Sequence, residues 1–250
     1  ERPDHLALIF EDEDLSLRTW TFDDLNHDAS CLAHGLSALG IRRGDRVALH
    51  TGMLPQTGIL HMALYKMGAI AVTLSQMYGA DTLAHILNHA EVIAIVTQDQ
   101  AWDQFRGRED EFPTLKHRIV VGGTKGDEIV FDDLLADGVG KDTFSAIDTK
   151  ADDIALLMYT SGSTGLPKGI MHGHRILEAY VPSLSLVYNL DRDDPDAVFW
   201  SPADWAWVGG LLDLLLIAWR FGRTVVTSTH RFDSEWAFTF MNRHGVTHSF

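Results

Sequence analysis

The chain has 250 residues, of which 46% are hydrophobic and 22% charged, a balance that excludes global disorder. Its 35 acidic against 20 basic side chains leave a formal net charge of −15. A surface that negative repels phosphate backbones and argues against a nucleic-acid or anionic-membrane binder, although backbone N–H groups can still hold phosphate locally.

Taken in chain order, short β-branched runs alternate with segments of helical period. Leu17 to Thr21 is a predicted strand, and Thr21 stands three residues before Asp24, an N-cap signal for a helix ending near Gly40. Arg46 to His50 is the next strand. Pro55 suits a first helical position, and Gly68 suits that helix's end. Strand Ala69 to Leu74, a helix from Asp81 through Ala90, strand Val92 to Thr97 and strand Ile119 to Val121 follow. Ile154 to Tyr159 is apolar and short, as a buried strand is. Helices are predicted over His174 to Asn189, Val208 to Trp219 and Ser234 to Arg243, with a strand at Thr224 to Thr227. Strands of this kind alternating with helices predict an α/β fold of layered parallel sheets with covering helices. The polar stretch Asp137 to Asp153 is the expected boundary between a first α/β lobe over 1–150 and the start of a second over 151–250.

The single cysteine, Cys31, excludes an internal disulfide framework and a cysteine-based metal cluster, and it suits a reducing, cytoplasmic setting. The longest apolar stretch, Val208 to Trp219, is interrupted by Asp213 and falls short of the roughly 20 residues of a membrane span. The chain opens on Glu-Arg-Pro-Asp without Met and stops at Thr-His-Ser-Phe within an apolar-rich pattern. It is therefore expected to be a fragment.

The most informative stretch runs from Tyr159 to Gly169. It leaves a buried strand and enters a loop with hydroxyls at Thr160, Ser161, Ser163 and Thr164 and glycines at Gly162, Gly165 and Gly169. Glycine allows close backbone approach, and successive N–H groups form an anion nest. Lys168 adds a mobile point charge suited to a terminal phosphate. The pattern is not a Walker A loop, because Lys168 follows Pro167 and Gly169-Ile170-Met171-His172 favours an extended segment. Nor does it fit the dinucleotide fingerprint.

Thr160 to Gly169 resembles the phosphate loop of the adenylate-forming enzymes, which include acyl-CoA synthetases, peptide-synthetase adenylation domains and luciferases. The likeness extends to Thr19–Leu25, Gly44–Leu49 and Lys66–Val72. It implies a two-step ligation: a carboxylic acid attacks the α-phosphate of ATP, and a thiol, usually of coenzyme A, then takes the acyl group. By this resemblance Ser161, Gly162, Ser163, Thr164, Gly165 and Lys168 cradle the β- and γ-phosphates, and Thr160 helps to hold magnesium. The family's magnesium-binding Glu, ribose-binding Asp and its Arg, and catalytic Lys would lie beyond Phe250. Hence no catalytic residue is expected within the chain. Residues 1–250 alone are expected to be inactive, to bind ATP poorly and to self-associate through uncovered strand edges.

Trp200 to Gly210 holds Trp200, Trp205 and Trp207, which taken alone fits aromatic core packing. It also resembles the Ala-Asp-x-x-Trp stretch of acetyl-CoA and medium-chain acyl-CoA synthetases. That likeness places Trp207, Val208 and Gly209 on the acyl pocket and favours a fatty or short acid over an amino acid. Two alternatives stand beside the acid–CoA ligase: a non-catalytic nucleotide-binding module, and an adenylation domain that transfers to a carrier protein.

Other features carry bland readings. His85 and His89, at i and i+4, lack the Glu of a metalloprotease helix and are taken as helix-surface or loop-contact residues. His172 and His174 suit backbone capping. Arg106 and Arg108 beside Trp102 are expected to face solvent, with a coenzyme A phosphate as the sharper alternative. Tyr78-Gly79-Ala80-Asp81-Thr82 imitates a family motif in the wrong order. No G-x-S-x-G elbow supports hydrolase chemistry.

Overall fold

A computed structural model describes residues 2–249 apart from 125, 142, 161–164 and 189–193, with side chains left out at 183 and 184. Strands β1 (Leu6–Glu11) and β2 (Leu17–Thr21) pair antiparallel. Thr21 then caps α1 (Phe22–Ala38). Its Oγ1 accepts from the Asp24 N–H at 3.1 Å, while its own N–H donates to Asp24 Oδ2 at 2.8 Å. The Thr21/Asp24 spacing thus forms a reciprocal capping box. Strand β3 (Arg46–His50) leads to α2 (Pro55–Met67), which starts on proline and ends where Gly68 takes φ +62°. Then come β4 (Ile70–Thr73), α3 (Ala80–His89), β5 (Ala94–Gln98), the short α4 (Asp99–Trp102), β6 (His117–Val121), β7 (Ile129–Val130) and α5 (Phe131–Asp137). After a long polar segment follow β8 (Ile154–Thr160), β9 (Lys168–Gly173), α6 (Ile176–Val187) and β10 (Val198–Trp200). Helix α7 (Val208–Gly210) runs through a π-helical turn at Leu211–Leu215 into α8 (Leu216–Arg220). Strand β11 (Thr224–Ser228), helix α9 (Ser234–His244) and strand β12 (His248–Ser249) complete the described chain. Asp233 caps α9 by accepting from the Trp236 N–H at 2.9 Å.

The chain divides into two compact units. One comprises residues 1–26, 53–58 and 175–250; the other comprises 27–52 and 59–174. The first carries a five-stranded sheet in the order β12-β10-β11-β1-β2, parallel except for the β1–β2 pair. Its buried cluster gathers Trp200, Val226, Ala237 and Phe240. The second carries a seven-stranded sheet in the order β7-β6-β5-β3-β4-β8-β9, parallel except for β8–β9. Its core includes Val72, Leu83, Ile86, Leu87, Trp102, Phe105 and Tyr159. This is the α/β architecture of parallel, helix-covered sheets that the strand–helix alternation predicts.

These units do not follow the expected division at 150/151. Strand β8 pairs with β4 and so belongs with strands of the expected first lobe. The polar stretch 137–153 is not a boundary either, because polar contacts fasten it to the second unit. His34 Nε2 meets the Thr143 carbonyl at 3.0 Å, the Ile147 N–H donates to the Lys66 carbonyl at 2.8 Å, and Arg43 pairs with Asp153 at 2.5 Å.

Candidate phosphate-binding hairpin

The loop from Thr160 to Gly169 joins two antiparallel strands. Strands β8 and β9 pair in the register Thr160 opposite Lys168, Tyr159 opposite Gly169 and Met158 opposite Ile170. The turn therefore leaves the sheet at Thr160 and re-enters at Lys168. This explains why the stretch is neither a Walker A loop nor a dinucleotide fingerprint, since both of those run from strand into helix. Thr160, Gly165 and Lys168 are exposed. Gly165 takes φ +145°, a conformation that an L side chain resists, with open space where a Cβ would stand. Ser161, Gly162, Ser163 and Thr164 lie outside the described residues.

The stem beneath the turn is closely held. Tyr159 is 3% exposed, and burial raises the pKa of its hydroxyl. A Cβ at Gly169 would stand 3.1 Å from the Tyr159 Cζ, so glycine lets the ring lie against β9. His89 Nδ1 lies 2.8 Å from the Tyr159 hydroxyl, and the Tyr78 hydroxyl donates to the Tyr159 carbonyl at 3.1 Å. His85 Nε2 lies 3.2 Å from the Pro167 carbonyl. His85 is thus a loop contact, one of the two roles expected of the pair, whereas His89 contacts strand β8. Tyr78 had no expected role. Burial lowers the pKa of His172 and His174, which favours their neutral forms. The His174 N–H caps the hairpin by donating to the Asp153 carbonyl at 3.1 Å.

A hard divalent cation beside a polyphosphate takes oxygen donors and needs few from protein. Thr160 offers a hydroxyl at the exposed mouth of the hairpin, a donor of the right type. Among the described residues, no group of three or more His, Cys, Asp or Glu gathers to hold a metal ion. Among them, too, no helix is long and apolar enough to cross a membrane.

In the other compact unit, the aromatic segment separates by burial. Trp200 is 4% exposed and packs on Trp236 and Phe240, while Trp205 is 1% exposed. Trp207 is 37% and Val208 36% exposed at the start of α7, and Gly209 is half-buried. Asp204 shapes this turn: its Oδ1 accepts from the Ala206 N–H at 3.0 Å, and its carbonyl accepts from the Trp207 N–H at 3.0 Å. The core reading therefore fits Trp200 and Trp205, whereas Trp207 remains accessible.

Arg106 and Arg108 are not simply solvent-facing. Arg106 pairs with Asp99, Asp103 and Glu128, and Arg108 donates twice to Glu111 at 2.8 Å. Those ion pairs occupy the guanidinium groups that a coenzyme A phosphate would need.

Comparison with known proteins agrees with this architecture. The acetyl-coenzyme A synthetase of Streptomyces coelicolor is 31% identical over 229 residues, covering 83% of this chain and 34% of its own length. The uncharacterized acyl-CoA ligase YtcI of Bacillus subtilis is 27% identical over 242 residues, covering 96% of this chain and 44% of its own. The chain thus spans less than half the length of these relatives. The crystal structure of the anthranilate CoA ligase AuaEII in complex with anthranoyl-AMP superposes with a TM-score of 0.79 at 23% identity, over 96% of this chain and 44% of that one, a likeness of fold. The profile of the AMP-binding enzymes matches residues 1–250 throughout, and the chain belongs to that family.

Proposed function

We propose that the chain supplies the ATP-phosphate hairpin of an AMP-forming acid–CoA ligase. The observation that carries this reading is the register of β8 and β9. It sets Thr160 opposite Lys168 at the mouth of a turn rich in glycine and hydroxyl groups. Ser161, Gly162, Ser163, Thr164, Gly165 and Lys168 would bind the β- and γ-phosphates through N–H groups, hydroxyls and one ammonium. In the first step a carboxylate oxygen attacks the α-phosphorus, and the bond to pyrophosphate breaks. Charge then builds on the departing phosphates, and fixed donors aimed at that charge lower the barrier. In the second step the coenzyme A thiolate attacks the acyl carbonyl, and AMP leaves.

Thr160 would hold magnesium through its hydroxyl. The metal, when bound, neutralises phosphate charge. Trp207, Val208 and Gly209 would line the acyl site. The acetyl-coenzyme A synthetases among the relatives and a bulky, accessible Trp207 favour a short acid.

The test incubates the full-length protein with ATP, coenzyme A and a panel of carboxylic acids, with nucleotides and thioesters read by mass spectrometry. AMP and one acyl-CoA in equal amounts are expected. ADP as the product would refute the reading. Acid-dependent AMP formation in which the acyl group passes to a carrier protein instead of coenzyme A would change the acceptor. No turnover with any acid would leave a binding module.

A further inference from the structure

We infer that His85 and His89 are positioning residues of the phosphate hairpin: helix α3 grips it at Tyr159 in β8 and at Pro167, the last turn residue before β9, and so sets where Lys168 stands. This inference rests on reading the turn as the ATP-phosphate loop.

The two imidazoles lie at i and i+4 on one face of α3. Each reaches a chain segment far ahead in sequence, 82 residues for His85 and 70 for His89. The Pro167 carbonyl can only accept, so the His85 Nε2 that lies 3.2 Å from it carries the proton. That carbonyl shares a peptide plane with the Lys168 N–H. Fixing the carbonyl therefore fixes the plane from which Lys168 departs. Proline has no N–H of its own with which to anchor this end of the turn.

The other strand is held one residue before Thr160. His89 Nδ1 lies 2.8 Å from the Tyr159 hydroxyl, and the two rings meet edge to face with centroids 5.8 Å apart. Tyr78 adds its bond to the Tyr159 carbonyl, and the Tyr159 ring rests on Gly169 across the pair. Thr160 and Lys168, the facing pair at the mouth, thus spring from two anchored points. A group that must meet developing charge gains from being held before the reaction begins, and small displacements of such a group are costly.

The experiment uses the full-length protein and follows ATP–pyrophosphate exchange for His85→Ala, His85→Gln and His85→Asn, with Lys168→Ala alongside and a melting temperature for each. A glutamine amide can place a nitrogen where Nε2 stands, whereas the shorter asparagine amide falls short of Pro167. His85→Ala should lower kcat/KM for ATP about tenfold or more, the usual scale for an outer positioning contact, with KM for the acid unchanged. His85→Gln should recover most of that loss, and His85→Asn should not. Wild-type ATP kinetics in His85→Ala while Lys168→Ala is impaired would overturn the inference and leave the phosphate loop standing. Unimpaired Lys168→Ala would instead overturn the loop reading on which the inference depends. If His85→Ala fails to fold, the comparison of Gln with Asn decides: equal ATP kinetics in those two would sink the positioning role.

Discussion

Lys168→Ala should separate catalysis from folding. Lys168 is exposed at the start of β9, an edge strand of the seven-stranded sheet, so truncation removes no buried contact. Substitutions of that kind change stability by about 0.5 kcal/mol or less, a shift of about 1–2 °C in Tm for a chain of this size. The catalytic effect should be far larger. Unit charges about 4 Å apart at an effective dielectric near 20 interact with roughly 4 kcal/mol. Salt and solvent at an open mouth reduce that to about 2–3 kcal/mol, which is about 30- to 150-fold in rate. Quenched-flow measurement of pyrophosphate release in a single turnover of the full-length protein, beside a thermal melt, reads both quantities. A Tm lowered by many degrees with a wild-type release rate would mean that Lys168 serves the fold rather than the phosphates.

Three further substitutions test other parts of the account. Trp207→Gly should open the proposed acyl site and shift preference toward longer acids, by about 0.8 kcal/mol for each methylene newly buried; an unchanged chain-length profile would remove Trp207 from the pocket. A Cβ at Gly210 would overlap the Ala203 and Asp204 carbonyl oxygens, so Gly210→Ala should cost about 1–3 kcal/mol. A melt indistinguishable from wild type would contradict that close approach. At Glu128, burial opposes the charge, but hydrogen bonds from Thr124 and Arg106 outweigh it and hold the pKa at about 2, below the ordinary 4.5. A depressed pKa stabilises the fold above the unfolded value, and that stability is lost as pH falls toward the folded value. The Tm gap between wild type and Glu128→Gln should therefore narrow as pH drops from 4.5 toward 2. A constant gap across that range would contradict the assignment.

What could be read in advance follows physical range. The Thr21/Asp24 box, Pro55 at a helix start and Gly68 at its end are local devices, and each stands where its spacing predicts. The glycine- and hydroxyl-rich turn is legible for the same reason, and so is the extended segment after Pro167, which is β9. The short strands β7, β10 and β12 hold two or three residues each, too few for alternation to register. Strand β1 is absent from the predicted elements, although the apolar run Leu6–Phe10 carries its signal. Residues 137–153 read as a lobe boundary in the sequence because their contacts run to distant carbonyls and single side chains. Such contacts leave no periodic mark, as His34 with Thr143 and Ile147 with Lys66 show. The spacing of His85 and His89 put them on one helix face, but their partners at Pro167 and Tyr159 depend on sheet order. The ion pairs of Arg106 had a partial local signal, since Asp103 and Asp99 stand three and seven residues before it.

The central claim is that a carboxylate attacks the α-phosphate of ATP while this hairpin holds the outgoing pyrophosphate. Isotope exchange between labelled pyrophosphate and ATP, in the full-length protein without coenzyme A, tests it most directly. The account predicts exchange that requires a carboxylic acid, proceeds without thiol and falls sharply in Lys168→Ala. Exchange of inorganic phosphate rather than pyrophosphate, or pyrophosphate exchange indifferent to Lys168, would contradict it.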